Sequence, residues 1–375
     1  MKKILDVVSY PYLPYYSGGQ KLVAQFFEFL GKEADLTVAS VSKNDFSLAK
    51  NYKTLPLLSN SALRYIDIRL AWKITDLVRK EKFDMVIWEH PYYAWLAWIV
   101  KKTTRVKTVF HTHNIEHQRF RSLGKWWWRM LKWYELWSFR FADFIFFISE
   151  QERELAIANW KVKREKTMEV PFGIANNEPP RDRSFCRQQI AAKHGIAGNE
   201  KILLFNGQLS YRPNLDGLLA IIHNINPYLL TVKDFRYKII ICGKGLPEYL
   251  NELKDYETKN IICAGFVNDI ETYFKGADLF LNPVQSGGGI KTKMVEAIGF
   301  GTTVISTETG AAGIHRDICG EKLVVVPDNS WQQFADAIIR NKSHELPAPS
   351  AYYQHYYWGE IINRITNPAL HYQCF

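Results

Sequence analysis

Short apolar runs alternate along the chain with longer stretches whose apolar positions recur at three- and four-residue intervals. Ile4–Ser9 is the first such run, β-branched and bounded by turn residues, so it predicts a buried strand. Pro11-Tyr12-Leu13-Pro14 and Ser17-Gly18-Gly19 then predict a loop, and Leu22–Leu30 has helical spacing. Further strands are predicted at Asp35–Ser40, Met85–Trp88, Lys107–Phe110 and Phe144–Ile148, with a helix over Ala71–Lys80. The pattern pauses between residues 171 and 199, where Pro179-Pro180-Arg181-Asp182-Arg183 is rigid or polar and suits a domain boundary. It then restarts, predicting strands at Lys201–Phe205, Tyr237–Cys242, Asn260–Ala264, Leu279–Leu281, Thr303–Ser306 and Leu323–Val326. From Ser350 onward a final aromatic-rich helix is predicted, and Tyr352, Tyr353, Tyr356, Tyr357 and Trp358 need a surface to pack on. Strands alternating with helices imply parallel sheets with helices on both faces. The expected fold is therefore α/β with two Rossmann-like domains, residues 1–175 and 195–348. Residues 349–375 are expected to form a helix packing on the first domain.

Composition supports two folded domains. The chain has 375 residues, 47% hydrophobic and 23% charged, a balance that excludes a disordered or fibrous protein. Its formal charge of +10 suits nucleic acid, anionic lipid or phosphorylated substrates and does not choose among them. Five cysteines, Cys186, Cys242, Cys263, Cys319 and Cys374, are odd in number and widely spaced. They read as reduced thiols, with Cys242 and Cys263 buried on strands, and not as a disulfide framework or a zinc site. Met1-Lys2-Lys3 leads directly into the first strand, and Pro11 and Pro14 stop the apolar run, so no secretory signal is expected. No uncharged apolar stretch reaches the roughly 18 residues of a spanning helix. A cytoplasmic protein is expected.

The segment from Leu279 to Gly313 carries the chemistry. A strand feeds Gly287-Gly288-Gly289, then Ile290-Lys291-Thr292-Lys293 opens a helix that carries Glu296. Glycines let backbone N–H groups approach an anion, and the helix N-terminus adds partial positive charge. Lys291 and Lys293 add full charges, and Glu296 is placed to accept hydrogen bonds from ribose hydroxyls. The glycines alone would suit a flexible loop, and the lysines and Glu296 could each be solvated surface charges. The strand, loop and helix together, followed by Gly301-Thr302-Thr303-Val304-Ile305-Ser306-Thr307 and Gly310-Ala311-Ala312-Gly313, point to a diphosphate site.

This run, P-x(3)-GGG-x-K-x-K-x-x-EA followed by G-x-x-VI-x-T-x-x-G-x-x-G, resembles the donor-binding region of retaining glycosyltransferases of the GT-B fold, family 4 (group 1). Phe205–Asn214 is similar to the family's G-x-L-x-x-x-PN turn. Gly265-Phe266-Val267 with Tyr273 and Ala277-Asp278 is similar to its GFV…Y…AD segment, and Ser17-Gly18-Gly19 occupies its glycine-rich first loop. The resemblance implies two domains facing a central cleft, the first binding an acceptor and the second a nucleotide sugar. It implies a donor-binding set of Gly18, Gly19, Arg212, Asn214, Gly243, Phe266, Val267, Gly288, Gly289, Ile290, Lys291 and Glu296. Gly18 and Gly19 would close over the diphosphate, the backbone near Phe266 and Val267 would meet the base, and Glu296 would hold the ribose. Arg212 or Lys291 would neutralise charge on the departing nucleotide. Many relatives carry a glutamate where Gly288 stands, which leaves the donor sugar undefined.

His111 and His113 lie two apart at the end of a predicted strand and share a face if the chain stays extended. With His117 near, a metal site is conceivable, yet no further ligand pattern supports one, and a structural histidine fits one of the pair. The segment His113-Asn114-Ile115-Glu116 resembles the family's H-N-x-E, whose histidine reaches the donor sugar and acceptor. That makes His113 the first catalytic candidate, His111 the second and Lys291 the third, with Glu116 orienting the loop. No D-x-D occurs in the chain, so neither metal nor cofactor is expected. Lys125–Tyr134 interleaves tryptophans with basic residues. Either the aromatics pack on the sheet while the arginines face water, or the segment lies at a bilayer interface. On the second reading Trp126, Trp127, Arg129 and Lys132 contact a membrane or a lipid-linked acceptor, and the protein sits on the inner face of the cytoplasmic membrane.

The leading expectation is a glycosyltransferase acting on a nucleotide sugar and a hydroxyl acceptor, with no nucleic-acid partner. A nucleotide-sugar epimerase on the same fold is an alternative whose acidic first-domain residues the sequence does not single out, and a non-catalytic sugar-nucleotide binder is made credible by Gly288. A dinucleotide oxidoreductase lacks its G-x-G-x-x-G after the first strand.

Overall fold

A computed structural model describes residues 1–341 and 346–367. The chain divides into two units: residues 1–175 with 288–290 and 356–375, and residues 176–287 with 291–355. Cys374 and the end of the expected C-terminal segment lie outside the described residues.

The first unit holds seven parallel strands: β1 Lys3–Val7, β2 Asp35–Val41, β3 Lys53–Leu58, β4 Met85–Glu89, β5 Lys107–Thr112, β6 Phe144–Phe147 and β7 Thr167–Glu169. Their order is β3-β2-β1-β4-β5-β6-β7. Helices α1 Gly18–Glu33, α2 Arg69–Glu81, α3 Ala94–Thr104, α4 Glu116–Ser122, α5 Trp128–Phe141 and α6 Glu150–Trp160 connect or cover them. The central strands are apolar on both faces, as a sheet covered twice requires. Their order reverses between β1 and β4, where loops diverge and leave a crevice at the carboxyl ends.

In the second unit β8 Lys201–Asn206, β9 Tyr237–Cys242, β10 Ile261–Gly265, β11 Leu279–Asn282, β12 Thr303–Thr307 and β13 Leu323–Val326 form a parallel sheet in the order β10-β9-β8-β11-β12-β13. Its helices include α7 Arg183–His194, α8 Arg212–Ala220, which runs through a wider turn at Ile221–Ile225 into α9 Asn226–Thr231, then α10 Ile270–Gly276 and α11 Thr292–Gly299. After them come α12 Arg316–Cys319, α13 Trp331–Arg340 and α14 Ser350–Tyr356. Each unit has its own apolar core, and both are Rossmann-like.

Two expectations are corrected. Gly18 and Gly19 are not loop residues. Ser17 accepts a hydrogen bond from the Gln20 N–H and caps α1, so the helix begins at Gly18. The aromatic C-terminal segment is not one helix either. It breaks at Tyr357, where the Ile174 N–H donates to the Tyr356 carbonyl (2.7 Å) and the Trp358 N–H to the Ile174 carbonyl (3.0 Å). A second helix, α15 Trp358–Thr366, then packs on α1. The Trp358 ring is fully buried beside Phe26, and its N–H donates to Gln25 Oε1 at 3.0 Å.

Candidate functional site

At the crevice of the first unit, β4 and β5 run in a register that pairs Glu89 with His111. Each strand is apolar until its last residues and then delivers polar groups. Glu89 is buried and takes two imidazoles: His111 Nδ1 at 3.0 Å from one oxygen, and His113 Nε2 in short contact with the other. Burial alone would raise the Glu89 pKa, but the two histidines hold it below the usual carboxylate range. An ionised carboxylate only accepts, so both nitrogens facing it carry protons. His113 Nδ1 is thereby left toward the Tyr10 hydroxyl at 3.4 Å. Burial lowers the His111 pKa, against the pull of Glu89. It packs on Phe26 (ring centroids 4.7 Å) and Phe146 (6.0 Å).

Asp6, fully buried on β1, is raised by burial and by the Glu89 charge. A neutral Asp6 spares the crevice a second negative charge. His90, just beyond β4, adopts φ 68° with ψ 159°, a sparsely populated backbone region that costs a residue with a side chain about 1–3 kcal/mol. Its ring stacks on Tyr92 (5.0 Å) and lies 4.2 Å from His113. Burial, the largest cause, lowers its pKa. Glu116 accepts from the Tyr92 hydroxyl (2.8 Å) and Arg119 (3.2 Å), and lies 3.4 Å from His90 Nδ1. Burial would raise Glu116, yet His90 and Arg119 bring it down to about 2. Helix α4 has no side-chain cap at Ile115. Glu135 on α5 fills that role, accepting from the backbone N–H of Glu116 (2.9 Å) and of His117 (3.2 Å). The donor atoms of Glu89, His111 and His113 converge within 4.8 Å of one another and have the chemistry to hold a metal ion.

The second unit places its cations where β8 and β11 diverge. Lys293, on the first turn of α11, donates to the Asn206 carbonyl (3.1 Å) and to Asn214 Oδ1 (3.0 Å). Lys291, at the N-cap of the same helix, donates to the Gly287 carbonyl (2.9 Å). Burial lowers Lys291 to about 8, and burial with the Lys291 charge lowers Lys293 to about 7. Gly287 has φ 86° and packs against Tyr211 and Pro213, so only glycine fits there. Gly288 has open space where a Cβ would stand. Gly243 approaches the backbone closely, since a Cβ there would lie 1.9 Å from the Gly207 carbonyl oxygen. Phe266 is exposed, with the Lys244 ammonium 5.7 Å from its ring centre. Val267 and Glu296 are half-buried, and Ile290 is buried. Arg212 is exposed and pairs with Asp216 at 2.8 Å, one turn along its own helix.

Residues 16–177 match Glycosyltransferase Family 4, and residues 200–342 match Glycosyl transferases group 1. The chain belongs to the group 1, family 4 glycosyltransferases. A protein of 44.6 kDa from the cps region of Klebsiella pneumoniae is 28% identical over 132 residues, 34% of each chain, so the match spans about a third of that relative. The UDP-Gal:alpha-D-GlcNAc-diphosphoundecaprenol alpha-1,3-galactosyltransferase of Escherichia coli is 23% identical over 289 residues, 72% of this chain and 71% of that one. Anabaena Alr3699/HepE, crystallised with UDP, has a TM-score of 0.70 at 16% identity, covering 98% of this chain and 99% of its own. The lipopolysaccharide glycosyltransferase WaaG has a TM-score of 0.61 at 17% identity, covering 99% and 97%. These likenesses extend the GT-B fold over the whole glycosyltransferase chain.

Several motif residues of this glycosyltransferase serve packing. Asp278 is buried, accepts from the Ile202 N–H (2.7 Å) and pairs with Arg187 and Lys201. The buried Tyr273 hydroxyl meets His194 (2.9 Å) and Lys193 (3.0 Å), tying α10 to α7. The tryptophan-rich segment divides between two environments: Trp126 and Trp133 are exposed, while Trp127 packs at a tilt against Phe120 (4.6 Å). Arg129 is exposed and Lys132 half-buried. Sequence reasoning missed Glu89, Asp6, Tyr10, His90 and Glu135. For Glu89 and His90 a signal existed: charge ending an all-apolar strand, at the carboxyl edge where parallel sheets bind ligands.

Proposed function

We propose that this glycosyltransferase moves a sugar from a nucleotide-diphosphate donor to a hydroxyl of a lipid-linked acceptor. Transfer proceeds with retention and without a bound metal, in polysaccharide or glycolipid assembly at the inner face of the cytoplasmic membrane. The observation that carries this reading is Lys293, whose ammonium is withdrawn from water beside Lys291 while its acceptors are the neutral oxygens of Asn206 and Asn214. A diphosphate supplies the missing negative charge, and the N-terminus of α11 adds to the attraction. As the nucleotide leaves, Lys291, Lys293 and the helix stabilise the growing charge, the part a divalent ion plays elsewhere. Arg212, Asn214 and Gly243 complete the donor site of the second unit. The exposed Phe266 and neighbouring Val267 take the base, and Glu296 takes the ribose. His113, held by Glu89, meets the donor sugar and the acceptor hydroxyl.

The acceptor class draws support from the E. coli relative, whose name specifies a sugar on diphosphoundecaprenol. No helix among the described residues is long and apolar enough to cross a membrane. Attachment therefore falls to the surface carrying Trp126, Trp127, Arg129 and Lys132. The test is nucleotide release from UDP-, GDP- and ADP-sugars, with and without acceptor lipid. One donor class is turned over when acceptor is present, and EDTA leaves the rate unchanged. Binding without release from any donor would favour a non-catalytic sugar-nucleotide protein, and loss of activity in EDTA would put a metal at Glu89, His111 and His113.

A further inference from the structure

Between α5 and the end of α6, within the first unit, lies a cavity of about 750 Å³. Six of its lining residues are cations: Arg129, Lys132 and Arg140 from α5, and Lys161, Lys163 and Lys166 from the turn after α6. No carboxylate lines it. Among the described residues Lys132, Arg140 and Lys161 pair with no acid, and Lys163 meets Glu165 only at 3.9 Å, with both side chains 71% exposed. The carbonyl end of α6 contributes about half a negative charge, far short of balance. Six like charges around one cavity repel one another, and an anion relieves that repulsion. The volume exceeds a single phosphate and falls within the usual range for ligand pockets.

A second observation gives the source of the anion. Trp128, Trp133 and Trp160 share the lining. Trp126, in the turn before α5, and Met130 and Trp133, on α5, are 81%, 68% and 70% exposed. Apolar side chains turned outward beside a basic cavity suit the boundary between lipid headgroups and acyl chains. We infer that this cavity holds the headgroup of an anionic phospholipid, its phosphate among the six cations, while Trp126, Met130 and Trp133 enter the adjoining bilayer. The inference rests on the membrane-surface part of the proposed function and is independent of sugar transfer. Inside the protein, Trp160 meets both the His117 ring (5.1 Å) and Phe139 (6.1 Å), so the occupied cavity borders the segment that carries His113.

The test is co-sedimentation with vesicles of phosphatidylcholine, alone or with phosphatidylglycerol. Lys161→Gln/Lys163→Gln removes two exposed cavity charges. Lys43→Gln/Lys50→Gln removes two exposed charges elsewhere in the unit and serves as the control. The chain binds vesicles containing phosphatidylglycerol and not phosphatidylcholine alone. The cavity pair weakens binding about 30-fold, from about 1 kcal/mol per lysine near an anionic surface, and the control pair changes it less than about twofold. Equal losses in the two pairs would reduce the effect to diffuse charge and overturn the site, as would equal binding to neutral vesicles. Free glycerol phosphate that binds and displaces the chain from vesicles at low concentration would overturn the lipid source. The cavity pair retains donor turnover with detergent-dispersed acceptor. A wild-type chain that binds vesicles as described yet turns over no donor would refute the proposed reaction and leave the headgroup site standing.

Discussion

Glu89 sets the protonation of both histidines, because one ionised carboxylate receives an N–H from each. His113 is thereby fixed in the tautomer whose Nδ1 is free to meet Tyr10 or a sugar hydroxyl. Glu89→Gln removes the charge and leaves the shape. It is expected to lower kcat about 100-fold, the lower end of what a positioned proton-transfer group contributes, and to shift the pH–rate profile. Nucleotide affinity stays within about twofold. If affinity falls as far as kcat, Glu89 has only a packing role. His113→Ala likewise spares nucleotide binding and loses turnover, whereas Glu296→Ala weakens nucleotide binding by roughly 1–3 kcal/mol, the cost of unpaired polar groups. Calorimetric titration of the two variants separates these roles, and equal losses of binding would contradict them. Gly288 has no neighbour within 4 Å of a built Cβ, so Gly288→Glu folds normally. It is expected to change the ranking of donor sugars at unchanged affinity for the free nucleotide, and an unaltered ranking would show that residue 288 does not read the sugar.

Among the elements, the runs at the middle of each sheet were legible because buried parallel strands are short and apolar on both faces. Two strands of the first unit escaped. Lys53–Leu58 is a half-exposed edge strand containing Pro56, and Thr167–Glu169 has only three residues at the other edge. Glycine patterns do not by themselves separate roles, since Gly243 lies in close backbone approach to Gly207 and Gly310 lies against Asn282 and Ser306. The charged crevice of the first unit was half visible: His111 and His113 are near in sequence, but Asp6 and Glu89 join them only through strand order. The break at Tyr357 could not be read from periodicity, because Ile174 makes it from far away in the chain. That clasp is testable. A Cβ on Gly173 would lie 2.4 Å from the Trp358 ring. Gly173→Ala is therefore expected to destabilise the chain by about 1–3 kcal/mol, as overpacking does, and Gly173→Ala with Trp358→Phe to recover part of it. Urea unfolding measures both, and an unchanged midpoint in Gly173→Ala would mean that Trp358 yields freely.

For the molecule as a whole, a charge of +10 favours anionic partners, but two half-buried lysines decide how nucleotide binding responds to pH. In the unliganded chain burial holds Lys291 near 8 and Lys293 near 7. Between pH 7 and 9 they lose protons that the unfolded chain still binds, so the free protein gains stability as pH rises through that window. Nucleotide binding runs the other way. A diphosphate stabilises the charged ammonium and raises both pKa values, so binding takes up protons above pH 7. Affinity is expected to fall by at least about tenfold from pH 7 to pH 9, since each unit of pKa shift is worth about 1.4 kcal/mol. Titration calorimetry in two buffers of different ionisation enthalpy gives the proton uptake directly. Lys293→Met should weaken binding at pH 7 and flatten the pH dependence, leaving the smaller contribution of Lys291. An affinity constant across the window, with no proton uptake, would place the diphosphate away from both lysines.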